Sequence, residues 1–237
     1  MRVAALELPA AWDHRERQLA AVDALLTFGP DAELVLLPEA SLTGYVSPDG
    51  DFDLSRWAEP RDGQTERALG LLAKKHRVHL VGPVIERAGD CVYNAMVAFG
   101  PDGAEVMRYR KRHPWYPETW ATPGDDPHPV VTIGELRATI GICFDIHFMD
   151  SEAEESLKMA DLLLFPSAWV EDPDSRAATL SSLARRHGVA IANANWGAGS
   201  PRVAGQGATR IYSRDGSTVA EALAGRADAV IQPRSRK

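Results

Sequence analysis

Short apolar segments of strand length alternate with longer segments of helical spacing along this chain, and this alternation constrains its fold more than any other feature. Arg15 to Phe28 predicts an amphipathic helix with Leu19, Val22 and Leu26 on one face. Further helices are predicted from Thr65 to His76, from Ser151 to Met159 and from Ser175 to His187, with Gly188 as the last C-cap. Strands are predicted at Val3 to Leu8, Glu33 to Leu37, Val78 to Val84, Val92 to Phe99, Glu105 to Tyr109, Val130 to Ile133, Arg137 to Ile142, Leu162 to Phe165 and Val189 to Ala194, with three short ones between residues 206 and 231. Such alternation predicts an α/β fold.

No internal repeat, low-complexity block or linker divides the chain. Its 237 residues are 45% hydrophobic, which suffices for one large core. Residues 110–129 contain five prolines and predict a long irregular connection, which inside a compact domain is usually functional. We therefore expect residues 1–237 to form a single domain.

The charge balance and the cysteine count narrow the class of protein. Lys and Arg number 26 against 33 Asp and Glu, and the net charge of −7 offers no general attraction for nucleic acid or an anionic membrane. No segment approaches the roughly 18 consecutive apolar residues of a membrane span. With only two cysteines, a disulfide framework is not expected. We expect a cytoplasmic protein without nucleic-acid or membrane partners.

The segment from Ala138 to His147 delivers Cys143 to the end of a predicted strand. Its β-branched residues favour a buried strand, and Gly141 allows another backbone to approach closely. A thiol where a strand meets a polar turn is well placed to act as a nucleophile. Near its free pKa of about 8.5 it is mostly un-ionised at neutral pH, so it needs a base and an anion stabiliser. For an isolated cysteine of this kind, a place in the core is the commoner role.

Two other apolar strands end in residues that complete such a site. Glu39 follows a buried strand and Pro38, where partial desolvation raises a carboxyl pKa toward that of a useful base. Lys111 ends the segment from Val106 in a basic cluster. Because ligand sites gather at strand ends in α/β sheets, Glu39, Lys111 and Cys143 can converge. Taken singly, Glu39 and Lys111 are equally typical of a solvated surface.

These three residues fit a hydrolysis at a carbon bonded to nitrogen. Glu39 would take the proton of Cys143 as the sulfur attacks, and would pass that proton to the departing amine. Lys111 and the Phe144 N–H would hold the oxyanion, an effect often worth about 3 kcal/mol per donor. Glu39 would then activate water against the thioester.

Four motifs stand in order along the chain. They are Leu36-Leu-Pro-Glu39 with Thr43-Gly-Tyr45; Tyr93-Asn94 with Asp102-Gly103 and Tyr109-Arg-Lys111; Ile142-Cys-Phe-Asp145; and Phe165-Pro-Ser-Ala-Trp169. Over most of its length the chain thereby resembles the nitrilase superfamily of carbon–nitrogen hydrolases. The resemblance implies a four-layer αββα sandwich and a Glu-Lys-Cys triad of Glu39, Lys111 and Cys143.

The resemblance also implies a fourth catalytic residue and reveals one departure. Glu118 lies after the lysine, where amidase members keep a second glutamate that positions the substrate and steadies the lysine. After the cysteine the family commonly has Phe-Pro-Glu, whereas this chain has Phe148-Met-Asp150. The departure puts in question any structural ion pair that needs the longer acid.

Aromatic residues near the motifs are candidates for the substrate pocket. Trp169 follows the strand that runs beside the cysteine strand in the family's layout, and Tyr45 lies in the loop after Glu39. The predicted substrate-binding residues are Tyr45, Trp115, Phe144, His147 and Trp169. Each of these is also an ordinary core or surface residue in its local context.

A few polar residues have two interpretations. Glu171, Asp172 and Asp174 follow Trp169 and would favour a cationic amide, although a solvated acidic loop is the commoner explanation. His113 is either a substrate contact or simply exposed. Cys91 has no acid–base partner in view and is expected to be structural.

We expect a cofactor-free amidohydrolase that converts a small linear amide into a carboxylic acid and ammonia. No close histidine and cysteine spacing indicates a metal site, and no glycine loop is typical of a nucleotide cofactor. An N-carbamoyl amidohydrolase or a nitrilase would use the same triad, and a non-catalytic ligand-binding member is the alternative from another class. By analogy with the family we expect a homo-oligomer, a dimer or larger, which a monomer-sized peak in light scattering would contradict.

Overall fold

The computed structural model describes residues 1–171 and 174–235, and within these ranges twelve strands form two six-stranded sheets. The first sheet contains, in spatial order, β12 (Arg226–Val230), β1 (Arg2–Leu6), β2 (Leu34–Leu36), β3 (His79–Ala88), β4 (Cys91–Phe99) and β5 (Glu105–Arg110). The second contains β11 (Thr218–Glu221), β10 (Arg210–Tyr212), β9 (Ala190–Asn195), β8 (Leu162–Ser167), β7 (Leu136–Ile140) and β6 (Val131–Ile133). The inner strands β1, β2 and β3 are parallel, as are β7, β8 and β9, and antiparallel strands extend both edges of each sheet.

Helices cover one face of each sheet and leave the other faces packed together. On the first sheet, α1 (Arg15–Phe28) contacts α2 (Gln64–His76), and α2 contacts β3 and β4. On the second, α4 (Glu154–Met159) contacts β7, while α5 (Arg176–His187) contacts β9 and β10. Strands β1 and β2 contact β9 between the layers. The observed order of layers confirms the predicted α/β class and the αββα sandwich.

Strand β1 contributes side chains to two hydrophobic clusters, one on each face of the sheet. Val3 and Ala5 belong to the cluster between the sheets, whereas Ala4 and Leu6 belong to the cluster beneath α1 and α2. Side chains alternate between the two faces of a strand, so a strand buried on both faces needs apolar residues throughout. This double burial explains the continuous apolar segments of the sequence.

The elements agree with the sequence prediction except in one region. Helix α1 has the predicted bounds, and α5 ends at Gly188, whose φ of 59° is the left-handed C-cap conformation that glycine favours. The single helix predicted from Ser151 to Met159 is wrong. The backbone of Ala153 leaves the helical region (φ −113°, ψ 11°), so α3 (Met149–Glu152) and α4 are separate short helices.

No helix within the described ranges combines the length and apolarity needed to cross a membrane.

Strand direction brings the candidate residues to one edge of the sandwich. Strand β5 runs parallel to β3, since β4 is antiparallel to both, and so β2 and β5 end at the same edge of the first sheet. Glu39 follows β2, and Lys111 follows β5 directly. Cys143 follows β7, whose parallel neighbour β8 leads into Trp169. This edge is where α/β sheets commonly bind ligands.

Candidate active site

A buried lysine bridges two buried glutamates at this edge. Lys111 Nζ lies 2.7 Å from Glu39 Oε1 and 2.6 Å from Glu118 Oε1, and it donates a hydrogen bond to each. All three side chains are almost completely excluded from solvent. Charged side chains are found buried only when they are paired, and here each carboxylate has the same ammonium as its partner.

Neutral donors complete the cluster. Asn94 Nδ2, on β4, donates to Glu39 Oε1 at 2.8 Å and to Glu118 Oε2 at 3.4 Å. The Ala168 N–H, just after β8, donates to Glu39 Oε2 at 3.0 Å, and Tyr45 OH donates to Glu118 Oε1 at 2.6 Å. Burial raises the pKa of Tyr45, so its hydroxyl remains a donor. Both carboxylates are therefore held by donors from several loops and strands.

Burial sets the resting protonation of the cluster. It raises the pKa of Glu39 above the ordinary carboxyl range, while the Lys111 charge opposes that rise. Burial by itself lowers the pKa of Lys111, but Glu118 and Glu39 outweigh it and hold that pKa well above the usual lysine range. Lys111 therefore stays charged at neutral pH, and Glu39 is a stronger base than an exposed glutamate.

Cys143 lies at a sharp turn where β7 gives way to a short 3₁₀ helix, Cys143–His147. Its φ of 45° is in the left-handed region, which costs a non-glycine residue of the order of 1 kcal/mol or more. A Cβ on Gly141 would meet Met149 Sδ at 2.6 Å, so the close neighbour there is a side chain rather than the predicted backbone. Such strain is typical of turns that present a functional group.

Burial raises the pKa of the Cys143 thiol, and the nearby Glu39 charge raises it further. The Lys111 charge and the Ala168 N–H, which also donates to Glu39, act in the opposite direction. At rest Cys143 is therefore a neutral thiol, which would have to lose its proton to act as a nucleophile. No acceptor for the Phe144 N–H is present in the described part of the chain, which leaves this donor available to an oxyanion.

Asp145 fixes the turn that carries Cys143. Its Oδ2 accepts from the Ile142 N–H at 2.9 Å and from Tyr109 OH at 2.8 Å, and its Oδ1 accepts from the His113 N–H at 2.9 Å. Tyr109 belongs to β5, two residues before Lys111, and so this carboxylate ties the cysteine turn to the lysine strand across both sheets. Cys143 and Lys111 are thereby held in a fixed relation.

We expect Tyr109→Phe to lower the free energy of unfolding by about 1.5–3 kcal/mol, because a buried carboxylate loses one of its donors. Urea unfolding measures the change. Tyr116→Phe is the matched control: its side chain is 78% exposed, and a change within about 0.5 kcal/mol is expected. Equal losses in the two variants would show that the Asp145 hydrogen bond contributes nothing.

A small aromatic pocket opens above Cys143. It is lined by Tyr45, Trp115, Cys143, Phe144, His147, Ala168, Trp169, Val170 and Glu171, and its free space is only about 20 Å³. All five predicted substrate-binding residues therefore lie around the predicted nucleophile. So little free space favours a small substrate. No set of three potential metal-ligating side chains is assembled anywhere in residues 1–171 or 174–235.

Three further residues, His113, Trp196 and Cys91, are not among those that line the pocket. His113 Nε2 lies 3.0 Å from a Glu152 oxygen, and its ring stacks on Phe148 at 3.7 Å, so it is an outer neighbour of the cysteine turn. Trp196 is buried and donates to the Trp169 carbonyl at 2.8 Å. Cys91 begins β4 as a free, half-buried thiol. The contacts of His113 and Trp196 give these two residues local roles in packing.

The acidic residues have separate environments. Asp150, the departure after the cysteine, forms an ion pair with Arg186 and contacts His187 Nε2 at 2.8 Å, so the shorter acid still ties this segment to α5. Asp174 pairs with buried Arg176 at 2.8 Å. Glu171 lines the pocket, and Asp172 lies outside the described residues.

Asn94 and Asp145 belong to the site but are not among the site residues predicted from the sequence. Asn94 is the one amide in the apolar strand β4, and Asp145 is the one acid in the apolar segment around Cys143. A polar side chain inside such a segment indicates a buried hydrogen-bond network. The sequence contains this signal for Asn94 and Asp145, but it does not reveal their hydrogen-bond partners.

Comparisons with known proteins agree on one family. A sequence model of the carbon–nitrogen hydrolase family matches residues 2–233. A nitrilase of Pyrococcus abyssi is 33% identical over 155 residues, which cover 64% of this chain and 58% of that protein. An omega-amidase of Xenopus tropicalis is 29% identical over 148 residues, which cover 58% of this chain and 52% of that protein. The chain therefore spans little more than half the length of these two relatives. A mutant of an amidase from Nesterenkonia AN1, of the nitrilase superfamily, has the same fold, with a TM-score of 0.84 at 21% identity over 96% of this chain and 90% of that one.

Proposed function

The chain belongs to the carbon–nitrogen hydrolase family, and from this we propose that it hydrolyses a small linear amide to a carboxylic acid and ammonia. The observation that carries the proposal is the buried Lys111 ammonium between Glu39 and Glu118, beneath a pocket that contains Cys143. A binding protein has no need for a desolvated base, a fixed cation and a thiol at the end of one small pocket.

In the first half of the proposed reaction, Cys143 Sγ attacks the amide carbon while Glu39 takes the thiol proton. The carbonyl oxygen becomes an oxyanion, which Lys111 Nζ and the Phe144 N–H stabilise. Glu39 then gives its proton to the amide nitrogen as the carbon–nitrogen bond breaks. Ammonia leaves, and the acyl group remains as a thioester on Cys143.

In the second half, a water molecule replaces ammonia. Glu39, again ionised, takes a proton from the water as its oxygen attacks the thioester carbon, and the same donors hold the second oxyanion. The carbon–sulfur bond then breaks, and the proton returns from Glu39 to the sulfur. Over the cycle one amide and one water give one carboxylic acid and one ammonia.

Glu118 supports an amide in preference to a nitrile. A primary amide has two N–H donors for the acceptor oxygens of Glu39 and Glu118, whereas a nitrile has none. Glu39 Oε2 and Glu118 Oε2 each accept from a single protein donor, so both can accept a further N–H from a bound amide. The Pyrococcus abyssi nitrilase keeps nitrile hydrolysis as the second candidate, with N-carbamoyl hydrolysis beside it.

An ammonia-release assay over short aliphatic, ω-amino, dicarboxylic and carbamoyl amides, with the corresponding nitriles, tests the proposal. We expect turnover of at least one amide, with a thioester on Cys143 detected by intact mass after acid quench. Turnover of nitriles alone would favour the second candidate. No turnover of any compound, with ordinary thiol reactivity at Cys143, would favour a ligand-binding protein.

The pH dependence of kcat/KM should report the base. Glu39 acts in its ionised form, and since burial raises its pKa, the acidic limb should lie above the value of about 4.3 for a free glutamate. The Glu118 charge contributes to that rise, so Glu118→Gln should move the limb to lower pH whatever it does to the maximal rate. An acidic limb that stays in place in Glu118→Gln would contradict the assignment of Glu39 as base.

A further inference from the structure

Among the described residues, the pocket lining contains one acidic residue, Glu171, and no lysine or arginine. The lining also contains the imidazole of His147, which is an exposed residue. A pocket for a dicarboxylic monoamide would need a cation where this pocket has an anion.

Aromatic rings form much of the rest of the wall. Tyr45 and Trp115 are nearly parallel, with 6.4 Å between their centroids. Trp169 also lines the pocket, and its ring centroid lies 6.3 Å from that of His147. The faces of such rings attract ammonium groups, and they attract them more strongly when water is excluded.

Glu171 is held at the pocket by its own neighbour. Ser175 Oγ donates to Glu171 Oε2 at 2.9 Å, and within residues 1–171 and 174–235 no lysine or arginine forms an ion pair with Glu171. Asp174 differs, since its carboxylate neutralises Arg176. Glu171, an exposed residue of the pocket wall, therefore has no cationic partner among the described residues.

The cluster beneath the pocket offers no excess of positive charge. It contains the two carboxylates of Glu39 and Glu118 and the single cation of Lys111. The buried Arg176 lies 6.0 Å from the Trp169 ring centroid, but Asp174 balances it. An anionic acyl group would meet the Glu171 charge with no cation among the described lining residues to offset it, whereas a cationic one would be attracted to that charge.

Resting on the amide hydrolysis proposed above, we infer that the natural substrate is an ω-amino amide. Its carboxamide lies against Cys143, and its ammonium lies between the aromatic rings and Glu171. Glu171 is then the residue that determines specificity.

A matched series of amides tests this inference. Each ω-amino amide of three to six carbons is compared with the straight-chain amide that has a methyl group in place of the ammonium, and succinamate provides the anionic case. At about pH 8 an alkyl ammonium with a pKa near that of lysine, about 10.4, remains charged. We expect kcat/KM to favour one ω-amino amide over its neutral match by about tenfold, the size of a single charge-assisted contact.

Variants at position 171 assign the preference to this residue. Glu171→Gln should lower the ratio of cationic to neutral kcat/KM by about tenfold, and Glu171→Lys should raise the relative rate with succinamate. Glu155→Gln is the matched control, because it removes the same charge from a side chain that is 81% exposed on α4, and it should leave the ratio unchanged.

The outcomes separate this inference from the function beneath it. Hydrolysis of neutral amides without a preference for the cationic series would overturn the inference and leave amide hydrolysis intact. A preference that survives Glu171→Gln, or is lost equally in Glu155→Gln, would overturn the role of Glu171. Failure to hydrolyse any amide would overturn both proposals.

Discussion

Cys143→Ala is expected to lower kcat on the best amide by about 10⁴-fold or more, because no other group in the pocket can form the acyl intermediate. Removing the nucleophile of a triad abolishes the covalent route, and what remains is the weak catalysis by the oxyanion donors. The free energy of unfolding should change by less than about 1.5 kcal/mol, since alanine fills most of the same space and can keep the same backbone.

Steady-state ammonia release and urea unfolding measure the two quantities. Cys91→Ala is the matched control, since Cys91 is the other cysteine of the chain and begins β4 outside the pocket. It should retain the wild-type kcat. Acid quench during turnover should show the acyl mass on the wild type and on Cys91→Ala but not on Cys143→Ala. Full turnover by Cys143→Ala would make the nucleophile assignment wrong.

The sequence predicted the location of the site because each key residue has a local signal. Glu39, Lys111 and Cys143 each follow an apolar strand, and parallel strands end at a common edge. The α/β class followed from the alternation of strands and helices, and the order of the layers followed from the resemblance to the family. These features depend on patterns within a few residues, which a single sequence contains.

The contacts that hold the site depended on pairing that no local pattern reveals. Asp145 and Tyr109 belong to segments of different sheets and meet only because the sheets pack face to face. Asn94 reaches two glutamates because β4 lies between β3 and β5, a register set by two hairpins. Glu171 illustrates the same limit. From the sequence, a solvated acidic loop is the commoner explanation of this residue, and its place in the pocket wall depends on the path of the loop after β8.

Charge balance links the stability of this site to its chemistry. A buried carboxylate with a raised pKa is a good base because water does not stabilise its charge, and for the same reason it destabilises the folded protein. Lys111 offsets that cost for Glu39 and for Glu118 together. Its removal should therefore affect stability and activity at once.

Lys111→Met is expected to lower the free energy of unfolding at pH 7 by about 3–5 kcal/mol, since it leaves two buried carboxylates without a cation. It should also lower kcat by about 10²-fold or more, because an oxyanion donor is lost. Lys75→Met is the control: this lysine is 58% exposed and pairs with Asp23 at 2.7 Å, and such a surface pair is worth about 1 kcal/mol or less.

The loss of stability in Lys111→Met should depend on pH. The positive charge and the hydrogen bond of Lys111 lower the pKa of Glu39. Without Lys111, the folded-state pKa of that carboxyl therefore rises further above its unfolded value. A raised carboxyl pKa destabilises the fold above that pKa, and the penalty disappears as the pH falls to the unfolded value of about 4.3. The deficit of Lys111→Met relative to wild type should therefore shrink between about pH 8 and pH 5. Adding Glu118→Gln should restore part of the stability at pH 8 but not the activity, whereas a deficit independent of pH and of Glu118 would mean that lost packing, and not unbalanced charge, explains the effect.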